Sequence, residues 1–315
     1  MTQNSVFNET VSEKERRHLE QQHEHEIKAL ARKNVPLGKR IKKHTVQTII
    51  YICCVFMAIV CLLPLWLLFV DATRSTQQIN QGMSLIPSTY LAVNWTSLME
   101  HDFPIVQSFF NSVLISFSST ALSLYFSTLT AYSFVAYRYK GQKAIWSIIL
   151  ILMMIPGQLS MIGFYKLVVD LGMYDTYWPL IIPAIAGPGA VFFFKQYFDA
   201  NFSKELVEAA RIDGSGEFRT FNLIVLPTLA PAIATNAIFG IVSAWNNYMG
   251  PLMILSSTEK YTFPMISQLL KTDRYNTDLG AMALAVFMTI LPLLVVYACF
   301  SRFIIRGVAI GGGKE

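Results

Sequence analysis

Thr48–Val70 reads TIIYICCVFMAIVCLLPLWLLFV, with no Asp, Glu, Lys or Arg in it. A helix needs about 20 apolar residues to cross a hydrocarbon core of roughly 30 Å, so this stretch is long enough by itself. Five more charge-free windows follow: Ser108–Val135, Ala144–Tyr165, Thr176–Phe194, Thr220–Thr258 and Leu279–Ser301. Charged residues make up 14% of the 315-residue chain and apolar residues 53%, a balance foreign to a water-soluble domain of this length. None of the windows alternates with period two, so α-helices rather than a closed barrel must satisfy the backbone in lipid. The expectation is an all-α, polytopic helical membrane protein with six transmembrane helices.

Five windows suit one crossing each. The fifth is too long for one helix and too short for two joined by a turn. Pro227 and Pro231 stand near its start, and Asn246, Asn247, Gly250 and Pro251 near its end. Proline suits the first turn of a helix and breaks an interior, so one crossing is placed at 228–249, with an irregular segment leading to Glu259. The spans then run over 48–70, 108–135, 144–165, 176–194, 228–249 and 279–301, inside a membrane domain of 48–304. Lys and Arg orient them. With both termini on one side, that side holds 20 of the 25 basic residues and the other side 5. Both termini and the loop 199–227 are therefore expected in the cytoplasm. Residues 1–47 read as a polar, basic arm rather than a secretory signal, since no short basic region leads directly into a short apolar stretch with a cleavage site. Its Lys39, Arg40, Lys42 and Lys43 suit anionic headgroups. Residues 305–315 read as a glycine-rich tail.

Little in the chain points to chemistry of its own. Cys53, Cys54, Cys61 and Cys299 fall in the predicted spans without a CxxC pair, which suits apolar packing. His18, His23 and His25 do not share a helical face. Gly311-Gly312-Gly313-Lys314 imitates the end of a Walker sequence, but Val308 stands where its first glycine belongs and Glu315 where Ser or Thr would follow. The spans hold no Asp, Glu, Lys or Arg, the groups a secondary transporter uses for ion coupling. No catalytic cluster, metal, cofactor or nucleic-acid partner is expected.

The loop between the fourth and fifth spans is the most specific feature. Glu208 to Pro227 reads EAARIDGSGEFRTFNLIVLP: Glu-Ala-Ala, three residues, Gly214, nine residues, then Ile224, one residue, Leu226 and Pro227. Ser203 is placed to cap a helix by accepting from its exposed N–H groups, and Glu205 suits the positive end of the helix dipole. Leu206, Ala209, Ala210 and Asp213 share a face at three- and four-residue spacing, where alanines let a partner approach closely. Gly214 stops the helix, because it takes a positive φ without a Cβ clash. Phe218, Phe221, Ile224 and Leu226 are expected to tie the loop to the membrane domain, and Pro227 to start the next span. A helix meant to lie on lipid would carry a larger apolar face rimmed by Lys and Arg, so this one reads as a docking element.

The loop resembles the Glu-Ala-Ala signature of permease subunits in binding-protein-dependent ABC importers. Further residues resemble the second permease subunit of maltose-type and multiple-sugar systems: Phe110-Asn111-Ser112, Ala131-Tyr132-Ser133-Phe134, Met154-Ile155-Pro156-Gly157-Gln158, Leu171-Gly172-Met173-Tyr174-Asp175-Thr176, Ala244-Trp245-Asn246-Asn247-Tyr248 and Phe303-Ile304-Ile305-Arg306-Gly307. The resemblance covers about Thr45 to Gly313. Two positions depart from it: Phe202, where a proline is frequent, and Gly163 in Ile162-Gly163, where Ile-Pro is. It implies a type I importer permease in a bacterial or archaeal cell membrane, coupled through Leu206, Glu208, Ala209, Ala210, Asp213, Gly214, Phe218, Leu226 and Pro227 to a dimer of separate ATPase subunits. It also implies a second permease subunit and an extracellular solute-binding protein as partners, and a sugar or oligosaccharide as solute. The alternatives are an amino-acid or peptide importer and, in another class, a secondary transporter.

Polar residues within apolar spans face the bundle interior or a watery path. Asn111, Gln158, Trp245, Asn246, Asn247 and Tyr248 are the candidates for the path, whereas the serines of the second span read as helix packing.

Overall fold

The computed structural model describes residues 37–100, 103–272 and 278–311, and among these it is helical with no strand. The helices used below are α1 (Leu37–Ala72), α2 (Leu91–Met99), α3 (Ile105–Ala136), α4 (Gln142–Met154), α5 (Met161–Asp170), α6 (Pro188–Asn201), α7 (Glu205–Ile212), α8 (Ala230–Trp245), α9 (Phe263–Thr272) and α10 (Leu279–Gly311). Most of the arm expected over 1–47 lies outside the described residues. The described residues up to Pro64 and those from Leu65 onward form two separate compact units, with the boundary within α1. In the first unit the side chains from Val46 to Leu63 are exposed. The second unit holds the bundle.

The bundle is organised on α3, which packs against α6, α8, α9 and the short turns between Trp178 and Ala186. Its buried positions are mostly small: Ser108, Ser112, Ser116, Ser119, Thr120, Ser127, Thr128 and Ala131. Small residues let helix backbones approach, which is how membrane helices gain dispersion contact without a hydrophobic drive. Ser116 Oγ donates to Ser112 O at 2.7 Å and Ser119 Oγ to Ile115 O at 2.7 Å, so these hydroxyls are satisfied by their own helix. Two apolar cores form at the two ends of α3. One gathers Ile105, Trp245, Phe263, Ile266, Leu284 and Ala285. The other gathers Ala131, Tyr132, Phe194, Phe198, Val207, Phe221, Val225 and Leu229.

Two predicted spans are not single helices. The third, expected over 144–165, ends as a helix at Met154 and resumes at Gly157, with a bend of 93° between the halves. Pro156 supplies no N–H and pushes the residue before it out of the helical region. Ile155 accordingly sits at φ −79°, ψ 120°. The fifth, expected over 228–249, is a straight helix only over α8. Glu217–Thr228 meets α8 at 79°, where Pro227 and Pro231 each remove a donor. Its far end stops at Trp245, and the segment expected to be irregular holds a short helix at Met249–Ile254. Among the described residues four helices are long and apolar enough to cross a membrane, and six crossings result if each bent pair is one. Within the tail expected over 305–315, α10 continues to Gly311.

At the N-terminal end of α3 the chain is tied by polar groups. Asn94 donates from Nδ2 to Ala72 O at 2.8 Å and to Arg74 O at 2.9 Å. Asp278 caps α10, accepting from Gly280 N at 3.0 Å and Ala281 N at 3.1 Å, and it also accepts from Ser97 Oγ at 2.7 Å.

Candidate functional site

The site has two parts, the loop carrying α7 and an open polar cavity along α3 and α8. The loop is rooted in the core at the C-terminal end of α3. Within α7, Val207 is 3% and Ala210 5% exposed, and Val207 packs among Phe198, Phe221 and Tyr132. Ala210 therefore faces inward, not onto the free face with Leu206 and Ala209 as expected. The reason is the neighbouring aromatic cluster, which accepts the 207/210 stripe in preference to the 206/209/213 stripe. The free face carries Leu206, Glu208, Ala209, Ile212 and Asp213, with Ile212 86% exposed, and in the segment that follows Phe218 is 70% exposed. Phe218 thus does not tie the loop down. Phe221 and Val225 are buried for that purpose, while Ile224 and Leu226 are half-buried and Pro227 is exposed.

The ends of α7 follow helix-terminus physics. Ser203 does not cap it: Lys204 is the cap residue and makes no side-chain cap bond, because the Ser203 hydroxyl donates to the Glu205 carboxylate instead. Glu205 and Glu208 in the first turn and Arg211 in the last suit the helix dipole. Gly214 adopts φ +77° and closes a Schellman turn, with Ser215 N donating to Ala210 O at 2.9 Å and Gly214 N to Arg211 O at 3.0 Å. A residue with a Cβ is strained in that region. Beyond it, Phe221–Val225 forms one π-helical turn, a local feature frequent at functional sites.

Three residues outside the sequence expectation link α7 to α3. Arg211 Nε lies 2.7 Å from Glu217 Oε1, and Tyr137 Oη donates to Glu217 Oε2 at 2.5 Å. The Arg211 guanidinium also sits over the Tyr137 ring, 5.4 Å from its centre. Tyr137 directly follows α3, and Gln142 holds that end by donating to Phe134 O at 2.7 Å.

The cavity, of about 300 Å³, is lined by Ser119, Thr120, Ser123, Leu180, Ala184, Gly240, Ser243, Ala244 and Asn247. Leu180, Ala244 and Asn247 also line a second void of about 30 Å³, which continues to Ser112 and Thr262. That is room for a single water. Thr120 Oγ1 and Thr262 Oγ1, one at each void, are buried without a hydrogen-bond partner, a condition that a water or a solute hydroxyl relieves.

The residues expected on the path separate into three groups. Asn247 lines both voids, although its Oδ1 also accepts from Gly250 N at 3.1 Å. Asn111 and Trp245 are bonded within the fold: Asn111 Nδ2 donates to Glu259 O at 2.8 Å and Tyr261 O at 3.0 Å, and Trp245, 2% exposed, donates from Nε1 to Thr289 O at 3.0 Å while it also borders the smaller void. Gln158 lies on the bend between α4 and α5, while Asn246 is exposed and Tyr248 half-buried. None of these three lines either void.

Asp175, quoted within a longer motif but assigned no role, secures the opposite end. It adopts φ 57° and accepts from Ser256 N at 2.9 Å, Ser257 N at 3.1 Å, Ser257 Oγ at 2.5 Å and Lys260 Nζ at 2.9 Å. Burial pushes its pKa up, but the bonds from Ser257, Lys260 and the backbone outweigh it and hold the carboxyl far below the ordinary range.

A helical bundle with a rooted helix projecting at one end and an open polar cavity along α3 and α8 suits a membrane permease subunit. Residues 123–309 match the family described as the binding-protein-dependent transport system inner membrane component. The arabinooligosaccharides transport system permease protein AraQ of Halalkalibacterium halodurans is 36% identical over 262 residues, 82% of this chain and 93% of that protein. The lactose transport system permease protein LacG of Rhizobium radiobacter is 30% identical over 251 residues, 79% of this chain and 90% of that protein. A crystal structure of a bacterial ABC transporter involved in the import of the acidic polysaccharide alginate matches the fold with a TM-score of 0.68 at 21% identity, over 84% of this chain and 98% of that one. The chain belongs to the inner-membrane-component family of binding-protein-dependent transport systems, the permease subunits of ABC importers.

Proposed function

We propose that this permease carries a sugar or oligosaccharide, that the free face of α7 seats in a separate ATPase subunit on the cytoplasmic side, and that both termini lie on that side. A second permease subunit completes the path, and an extracellular binding protein delivers the solute. The observation that carries this reading is the two-sidedness of α7. Val207 and Ala210 root it while Leu206, Ala209, Ile212 and, beyond the Gly214 turn, Phe218 stay exposed, so apolar surface is held away from its own core. Exposed apolar groups on a rooted scaffold suit a protein partner, and Glu208 beside them supplies a polar contact. The hydroxyl and amide lining of the larger cavity, with Thr120 unpartnered, suits a hydroxyl-rich solute, and the arabinooligosaccharide and lactose relatives favour that class.

The test uses the assembled transporter. Gly214→Val and Ile212→Asp should leave the permease in the membrane while the co-purified ATPase and solute uptake are lost. Wild-type amounts of ATPase together with full uptake in Gly214→Val would overturn the docking assignment. Single cysteines at Ser243 and Asn247 should be shielded from a thiol reagent by the transported solute, and equal labelling with and without it would remove the cavity from the path.

A further inference from the structure

We propose that Glu217 is a positioning residue that clamps the docking helix to α3, so that α7 and the wall of the polar cavity move as one body. This rests on the docking role proposed above for α7. One carboxylate serves both sides of the joint, with Oε1 on Arg211 of α7 at 2.7 Å and Oε2 on Tyr137 at the end of α3 at 2.5 Å. The third side of the triangle is the Arg211 guanidinium over the Tyr137 ring, a cation–π contact.

The apolar root at Val207 cannot do this alone. Apolar burial is non-directional, so Val207 among its aromatic neighbours fixes where α7 sits but weakly fixes its rotation. Charge-assisted bonds to both oxygens of one carboxylate are directional, and they act across the Gly214 turn, where the backbone is freest to swivel. The same α3 supplies Ser119, Thr120 and Ser123 to the cavity, roughly 20–27 Å up the helix from Tyr137 at 1.5 Å per residue. A continuous helix carries a rotation over that length without loss. Arg211 and Glu217 are 36% and 46% exposed, so their pairing adds little to stability and its loss leaves a folded protein. The clamp therefore governs geometry rather than folding.

Spin-label distance measurements on the complete transporter test this. Labels go on Lys204→Cys, exposed at the start of α7, and on Lys140→Cys after replacement of Cys53, Cys54, Cys61 and Cys299, which are exposed. With Glu217 intact, the distance distribution should be narrow and superimpose between the nucleotide-free and vanadate-trapped states. Glu217→Gln should broaden it by roughly twofold, as expected when one rigid body becomes two, and the exchange Arg211→Glu with Glu217→Arg should narrow it again. A Glu217→Gln distribution as narrow as the parent, or a charge exchange no narrower than Glu217→Gln, overturns the clamp. Loss of the ATPase from the parent complex would instead strike the docking assignment, and the same labels on the permease alone would still report on the joint.

Discussion

A Cβ added to Gly240 would lie 2.8 Å from Cγ2 of Thr120, closer than side chains pack. Gly240 is thus a place where α8 lies close against α3, and it also lines the polar cavity of about 300 Å³. Gly240→Ala should force the helices apart, costing about 1–3 kcal/mol as overpacking does. Thr120→Ser removes the clashing methyl and should recover most of the loss. Thermal unfolding of the purified protein in detergent checks both, and an unchanged midpoint in Gly240→Ala would contradict this packing.

Gly280 is confined more severely. An added Cβ would lie 2.5 Å from Arg74 O and 2.6 Å from both side-chain ends of Asn94. Arg74 O is a main-chain atom already engaged by Asn94 Nδ2, so it cannot rotate aside as a side chain can. Gly280→Ala should lower the melting midpoint by more than Gly240→Ala does. Adding Asn94→Ala should not rescue it, since the carbonyl clash remains. Recovery in that double variant would show that the side chain, not the backbone, sets the limit.

Trp245 offers a test of structural against path roles. Its indole is spent on Thr289 O, and its ring meets Phe109 edge-on with centroids 5.6 Å apart. Trp245→Phe should keep the ring packing and lose one hydrogen bond, about 1 kcal/mol, whereas Trp245→Ala should cost about 3–5 kcal/mol. Solute affinity of the assembled transporter should change little in Trp245→Phe. A large drop in affinity with an unchanged melting midpoint would return the residue to the path.

The helical membrane class was legible because lipid burial is a property of composition, and charge-free windows such as Thr48–Val70 report it directly. The docking loop was legible as a motif, since Gly214 has a conformational reason to be glycine. Which stripe of α7 points inward was not. Leu206/Ala209 and Val207/Ala210 are both apolar, and the choice is made by Phe198 and Phe221, whose positions depend on the fold. Arg211 and Glu217 are six residues apart across a turn, a spacing that no helical or strand period marks. Which path candidates find partners within the fold was not legible for a related reason. An asparagine in an apolar span announces a polar need but not its partner, and Asn111 meets that need with the carbonyls of Glu259 and Tyr261. Pro156 stands inside the third span, predicted as unbroken, and the bend of 93° there came only with the structure.

Asp175 makes a prediction with a definite pH signature. Its carboxylate is held well below the ordinary range by Ser257, Lys260 and two backbone N–H groups, against the opposing effect of burial. For an acid with a lowered folded-state pKa, the stabilisation is complete above the unfolded value, about 3.9. It is lost only as the pH falls through the lower folded value. Asp175→Asn should therefore lower the melting midpoint by a constant amount between pH 5 and 8, corresponding to about 1–3 kcal/mol for lost bonds to a charged group. The gap should narrow only in more acidic solution. Asp175→Ala should fall further, because φ 57° is tolerated by Asn and strained for Ala. Melting curves of the three proteins across that range decide it. A deficit that closes between pH 5 and 7 would mean that the carboxyl titrates above its ordinary range, with burial outweighing the Ser257–Lys260 cradle.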